Sequence, residues 1–540
     1  MRRIALLVLS VWAVQGQHDH GNQPGAAVLL PGLGRLHHPI ATRSPEAQQF
    51  FDQGLTLVYG FNHDEAIKAF RRAAELDPAS PMPHWGIALA LGPNINLDVD
   101  PAREKAAYEA AARARALSVR APANERAYVD ALVKRYTADP NADLKVLAVT
   151  YKDAMRDLTS RYPDDLDAAT LYAESLMDLR PWQLWSNDGQ PAEGTSEIVA
   201  VLESVLRRDP MHVGANHYYI HAVEASPTPE RALVSASRLE TLVPAAGHLV
   251  HMPAHIYMRT GDYAAAVASN ARAAQVDRDY IAKTGAEGVY PLMYYMHNVD
   301  FLASAAMMTG QFTEASRAAG ELVEKATPAI AQMPMIEPVG AKKLYVLLRF
   351  ARWNDVLSLP LPDAQHRILS ALWHFGRGVA QAALGRTTDA GRERSAYREA
   401  RGAVPPDTSF GYNSAREIFA IADAVLDARI AGAARDYDAA SAAWTRAVAA
   451  QDALKYDEPP DWFYPVRESL GAALMRAGRF EEGERVFRDD LDRNPRNGRS
   501  LFGLWQALQA QKKDSAAAIV EKQYEAAWAH ADVVLRLNEY

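Results

Sequence analysis

Cysteine is absent from all 540 residues. The chain therefore has no disulfide framework, no thiolate metal ligand and no thiol nucleophile. Long apolar runs are scarce. Beyond the first residues no segment is long and apolar enough to cross a bilayer, which takes about 20 apolar residues. Val/Ile-rich alternating runs are missing, and with them the pattern of strands. Neither sign of charge dominates: 58 Lys+Arg stand against 66 Asp+Glu, interspersed, for a net charge of −8. Such a balance offers no basic face for nucleic acid. P-loop, dinucleotide, G-x-S-x-G and H-E-x-x-H motifs are also missing, which removes the common phosphate, nucleotide, serine-hydrolase and zinc-protease signatures.

What is present is 49% hydrophobic residue content, rich in Ala, Leu, Arg and Glu. This composition reads as all-α. A chain of this length exceeds one compact core, but a repeat array escapes that limit because each unit packs on its neighbours. At the amino end, Arg2 and Arg3 precede an apolar stretch from Ile4 to Val14. Val14-Gln15-Gly16 then has the small-residue character of a cleavage site. Residues 1–16 are expected to be an export signal, and the protein periplasmic or secreted. The lack of cysteine suits an exported bacterial protein. Residues 17–44 read as a flexible linker of Gly, Pro and His; His18 and His20 in it would chelate Cu(II) if cleavage exposed them.

Gly54, Ala66, Phe70, Ala73 and Pro78 sit at the spacings of L-G…A-x3-F-x2-A…P. Ala232, Ala236 and Pro244 repeat part of this pattern, as do Tyr257, Gly261, Ala266 and Ala273. Leu470, Gly471, Leu474, Gly478, Phe487 and Pro495 match it best. In this register the chain resembles the tetratricopeptide repeat family, over about a dozen helix pairs between 46 and 530. The resemblance implies an α-solenoid, a right-handed superhelix of helix–turn–helix repeats with a concave groove. Residues 45–330 and 331–540 are expected to form its two halves, divided at the Pro- and Met-rich stretch from Pro328 to Glu337. Between Asp178 and Thr195 the chain inserts about thirteen residues beyond the repeat period. Arg180, Trp182 and Trp185 lie in this insertion, which reads either as a surface loop or as a lid over the groove.

His217 and His221 recur as His251 and His255, 34 residues later. Thirty-four is the tetratricopeptide period, and an i, i+4 spacing puts each pair on one helix face. In the family frame, positions 2, 5, 9 and 12 of the first helix line the groove. That stripe carries Asp167, Thr170, Glu174 and Met177 in one repeat and Gly214, His217, His221 and Glu224 in the next. It carries His248, His251, His255 and Met258 in a third, then His297, Asp300, Ser304 and Met307 in a fourth. Six of the 16 histidines thus share one stripe.

Imidazole is the commonest protein metal ligand. His217, His221, His251 and His255 are expected either to form a four-nitrogen site or to yield two histidines that join Glu224 or Glu174 in a facial set with open positions. His248 and His297 would complete it or build a second site with Asp300. With imidazoles and no thiolates, Cu, Zn or Fe all fit; Met177, Met258 and Met307 share position 12 of the stripe, which would suit Cu(I), though packing is the better account of them. Tyr218 and Tyr219 would wall the pocket, with Trp182, Trp185 and Arg180 above it. His84-Trp85 reads as a core position. The expected function is a scaffold binding a transition metal in its groove, with a protein, peptide or small ligand as partner. A hydrolytic or oxidative metalloenzyme with Glu224 or Glu174 as general base is one alternative, and a metal-free peptide-binding adaptor another.

Overall fold

The computed structural model describes residues 27–540. The expected export signal, His18 and His20 lie outside the described residues. Among the described residues the regular structure is helical apart from an isolated bridge between Asn94 and Leu97 and a two-stranded antiparallel ribbon pairing Ser409–Phe410 with Asn413–Ser414. Helix starts follow from side chains that accept the orphan amides of a first turn. Ser44 caps helix Pro45–Tyr59, Asp100 caps Pro101–Ser118, and Asp165 caps Leu166–Met177. Ser414 and Glu417 form a reciprocal capping box on helix Ala415–Ala433.

The repeat pattern has a specific packing basis. The ring of Phe70 lies between Gly54 and Gly86: a Cβ on either glycine would come within 2.6 Å of it. Phe487 lies in the same way between Gly471 and Gly503, where a Cβ would come within 2.6 and 2.2 Å. The phenylalanine of a second helix thus fills a slot that only glycine leaves open on the helices before and after. In both places each glycine is 16 residues from the ring (54, 70, 86 and 471, 487, 503).

The chain divides into two compact units, one of residues up to 184 and 191–222, the other of 185–190 and 223–540. The first unit has a core of Phe51, Phe70, Trp85 and Tyr128, all nearly fully buried, with Trp85 in the core role expected of it. Residues 27–44, read as linker, lie along helix Pro45–Tyr59. Gln53 accepts from Leu30 N and donates to Val28 O, and His38 Nδ1 bonds Asp167 Oδ2 at 2.8 Å. Polar side chains of the first helices hold this segment, a signal that hydrophobic periodicity does not register. In the second unit, Phe375, Tyr397, Phe419, Trp444 and Trp462 belong to one extended core. The stretch after 328 lies inside this unit, where helix Phe312–Ala329 gives way to a 3-10 segment, Pro334–Ala341. No helix among the described residues is long and apolar enough to cross a membrane.

Candidate metal centre

Three helices of the second unit converge on a set of imidazoles. Helix Gly247–His251 ends at Met252 because Pro253 has no amide to continue the ladder. Helix Pro253–Thr260 resumes at once. His251 and His255 therefore stand on either side of a proline break, yet keep their i, i+4 relation: their Nε2 atoms are 2.9 Å apart. Helix Met296–Met308 supplies His297, just after a widened π-helical turn, Tyr290–Tyr295. One nitrogen from each of His251, His255 and His297 lies within 4.8 Å of the other two. Phe301 backs all three rings, with centroids 4.6, 4.6 and 4.9 Å away. His251 and His255 are fully buried, while His297 is only half-buried and forms the open side.

The far nitrogens of the buried pair are held. Asn270 Nδ2 donates to Ala266 O, which turns its Oδ1 toward His251 Nδ1 at 2.6 Å. An amide oxygen only accepts, so His251 Nδ1 is the donor there. His255 Nδ1 lies 2.5 Å from Glu224 Oε2, which also accepts from Tyr456 Oη at 3.1 Å. With Glu224 ionised, His255 Nδ1 is a donor too. With both rings neutral, each turns an Nε2 lone pair toward the same gap; with His255 protonated, its Nε2–H donates to His251. Carboxylate or amide partners that fix the tautomer in this way are the usual outer support of metal-binding histidines.

A second layer anchors the helix that carries His248 and His251. Asp277 accepts from Tyr290 Oη at 2.8 Å and Asn298 Nδ2 at 2.6 Å. A Cβ on Gly247 would come 1.9 Å from Asp277 Oδ1, so only glycine lets this helix begin where it does. Burial pushes the Asp277 carboxyl up to about 7, against the pull of those two hydrogen bonds. His248 is buried beside the trio, 5.7 Å from the His251 ring and edge-on to Tyr294 at 5.0 Å.

The other expected residues have different surroundings. His217 and His221 belong to the first unit, with ring centroids 4.9 Å apart. The backbone oxygen of Tyr59 takes His217 Nδ1 at 2.6 Å, Phe61 stacks on His221, and Trp182 meets His221 edge-on at 5.6 Å. Trp182 holds a φ of 59°, a left-handed conformation costly for a bulky residue. Tyr218 packs on Tyr59 and Phe61, and Tyr219 donates to Glu203, so both are committed within that unit. Glu174 lies in a separate buried group beside Asp178 and Arg135, whose charges meet at 2.5 Å between the latter two. Burial and the adjoining Asp178 carboxylate drive Glu174 well above the carboxylate range. Asp300 turns to an ion pair with Lys342. Met307 sits in an apolar cluster with Val346 and Phe350. Arg180 is exposed and pairs with Glu193. Trp185 and Met258 line a cavity of the second unit described below.

Sequence reading missed Asn270, Asp277 and Tyr456. Two of them left a signal. Ala266, Asn270, Ala273 and Asp277 recur at 4, 3 and 4 along helix Tyr263–Thr284 and are all fully buried. A polar residue on an alanine stripe marks a buried partner.

Comparison with known proteins adds to the fold. The tetratricopeptide repeat family model matches residues 47–80. Among solved structures, the human IFIT1 dimer with m7Gppp-AAAA is 12% identical over 92% of each chain, with a TM-score of 0.34. Yeast Tom70 is 13% identical over 91% of this chain and 93% of its own, with a TM-score of 0.28. No curated protein matches the chain. Residues 47–80 match the tetratricopeptide repeat model, and the described chain is an all-α protein of packed helix pairs.

Proposed function

We propose that this protein is a helical-repeat scaffold that binds one transition-metal ion on Nε2 of His251 and His255, with His297 as third imidazole. One observation carries the reading: two buried Nε2 atoms face each other at 2.9 Å while Asn270 and Glu224 hold the two Nδ1 atoms. In neutral rings the two lone pairs repel at that distance, and a metal ion or a shared proton between them relieves it. Imidazole–metal bonds of about 2.0–2.1 Å spanning this gap give an N–metal–N angle of about 90°, close to a cis pair in octahedral or square-planar coordination. His297 closes the set from its half-buried side and leaves further positions open to solvent or a ligand. Glu224 and Asn270 would hold the rings rather than bind the ion. Zn, Cu and Fe are the candidate metals, since the donors are imidazoles and thiolates are absent.

The test is elemental mass spectrometry of the purified protein, with calorimetric titration of Zn(II), Cu(II) and Fe(II) into chelator-treated protein. One equivalent bound by the wild type, and lost in His251→Ala/His255→Ala with unchanged helix content, is the expected result. No uptake of any of the three ions would overturn the metal reading and mean that a proton closes the gap.

A further inference from the structure

The second unit encloses a cavity of ≈ 580 Å³ whose wall includes Arg259, Tyr263, Tyr456 and Glu458. Tyr456 belongs to both sites: its hydroxyl reaches Glu224 while it lines this cavity. Four buried polar atoms on residues of this wall make no hydrogen bond within the protein: Arg259 Nε, Tyr263 Oη, Glu458 Oε2 and Trp462 Nε1. Tyr263 and Glu458 are only 5% and 6% exposed. Buried polar atoms are satisfied in the great majority of cases, so four orphans on residues around one cavity set this wall apart.

The charges on this wall are also unspent. Arg467, another cationic lining residue, is consumed by a two-pronged bond to Asp452 at 2.7 and 2.6 Å. Arg259 is not. It donates to Ser226 O at 3.3 Å and lies over the Tyr456 ring at 5.4 Å, with no carboxylate partner. Glu458 lies in the field of Arg259 but does not join it in an ion pair. Burial pushes its carboxyl up to about 7, against the pull of Arg259 and His255. A guanidinium without a carboxylate partner and a carboxyl with one unpartnered oxygen thus stand on one wall, not joined in an ion pair. Trp185, Trp462 and Phe463 add aromatic rings to a lining that also holds Lys455, Asp457, Asp461 and Asp490.

We propose that this cavity binds a zwitterion of the amino-acid class, its carboxylate on Arg259 and its ammonium on Glu458 and the Tyr263 hydroxyl. A free amino acid and a short peptide share this chemistry and differ in the distance between their charged ends. The aromatic lining favours a ligand with an aromatic or aliphatic side chain, and ring faces also attract ammonium groups. Binding needs no metal, so it stands or falls separately from the histidine site.

The test is calorimetry on the full chain, in chelator, with phenylalanine, Ala-Phe, N-acetyl-Ala-Phe and Ala-Phe amide as probes. Phenylalanine or Ala-Phe should bind, and whichever binds reports the charge separation that fits. Acetylation or amidation should each weaken Ala-Phe binding, or blocked phenylalanines that of phenylalanine, by about tenfold or more, the scale of a charged hydrogen bond left unmade. Glu458→Gln should erase the discrimination against the acetylated probe, and Arg259→Gln that against the amide. Failure of both free probes to bind, or equal binding of free and capped probes, overturns the proposal. If either variant fails to fold by circular dichroism, the capped-probe comparison on the wild type still decides.

Discussion

At the residue scale, tautomer control separates this site from a chance cluster of histidines. Asn270→Ala removes the acceptor that fixes His251 and is expected to weaken metal binding about 10- to 100-fold, measured by competition with a chromogenic chelator. The histidines themselves were legible in the sequence, because a 34-residue offset and an i, i+4 spacing survive without any knowledge of contacts. Asn270 and Asp277 were legible only as polar breaks in an alanine stripe. Tyr456 was not legible, since its partner Glu224 is 232 residues away and no periodicity joins them. Another buried acid yields a pH effect. Asp490 accepts from Ser500 Oγ, Asn497 Nδ2 and Asn494 Nδ2, and burial with the nearby Glu468 charge pushes it up to about 7. A carboxyl raised in the folded state keeps its proton there while the unfolded chain loses it. Its contribution is thus complete at acid pH and is lost as pH rises toward 7. Asp490→Asn should remove that slope, so the variant gains on the wild type between pH 4 and 7 by up to about 4 kcal/mol. Urea unfolding of both proteins across that range checks it.

At the element scale, the repeats were readable because each helix pair needs small residues where a neighbouring ring arrives. Gly54 and Gly86 around Phe70 are the clearest case. Gly86→Ala should destabilise the protein by about 1–3 kcal/mol through overpacking against that ring, seen as a lower midpoint in denaturant. Gly247 has a different job. A methyl group there meets the Asp277 carboxylate, so Gly247→Ala must displace the helix bearing His248 and His251 or the acid behind it. The expected result is weaker metal binding alongside reduced stability, whereas Gly86→Ala should leave metal affinity unchanged. The two glycines together separate a site defect from a folding defect. The proline at 253 was visible in the sequence, but its effect was not. A helix break between paired histidines follows from the missing amide, while the 2.9 Å approach across it depends on Asn270 and Glu224, which lie on other elements.

At the scale of the whole molecule, binding to the folded state alone adds stability by mass action, about 2.7 kcal/mol at a metal concentration 100 times Kd. Hydrogen exchange with and without metal should show the gain in helices Gly247–His251, Pro253–Thr260 and Met296–Met308, which carry the proposed ligands. Equal protection throughout the chain would point to non-specific binding. The division into two units did not follow from the sequence, because the repeat pattern runs through it and the boundary falls within helix Val213–Val223. The link from Tyr456 to Glu224 carries a consequence in time. A ribosome makes the chain from its amino end, so the imidazoles and Glu224 emerge well before the hydroxyl that supports that acid. Until residue 456 is made, Glu224 holds His255 without its tyrosine partner. The supporting shell of the site is therefore completed late in synthesis, and a chain ending before that point would carry the ligands in an unfinished setting.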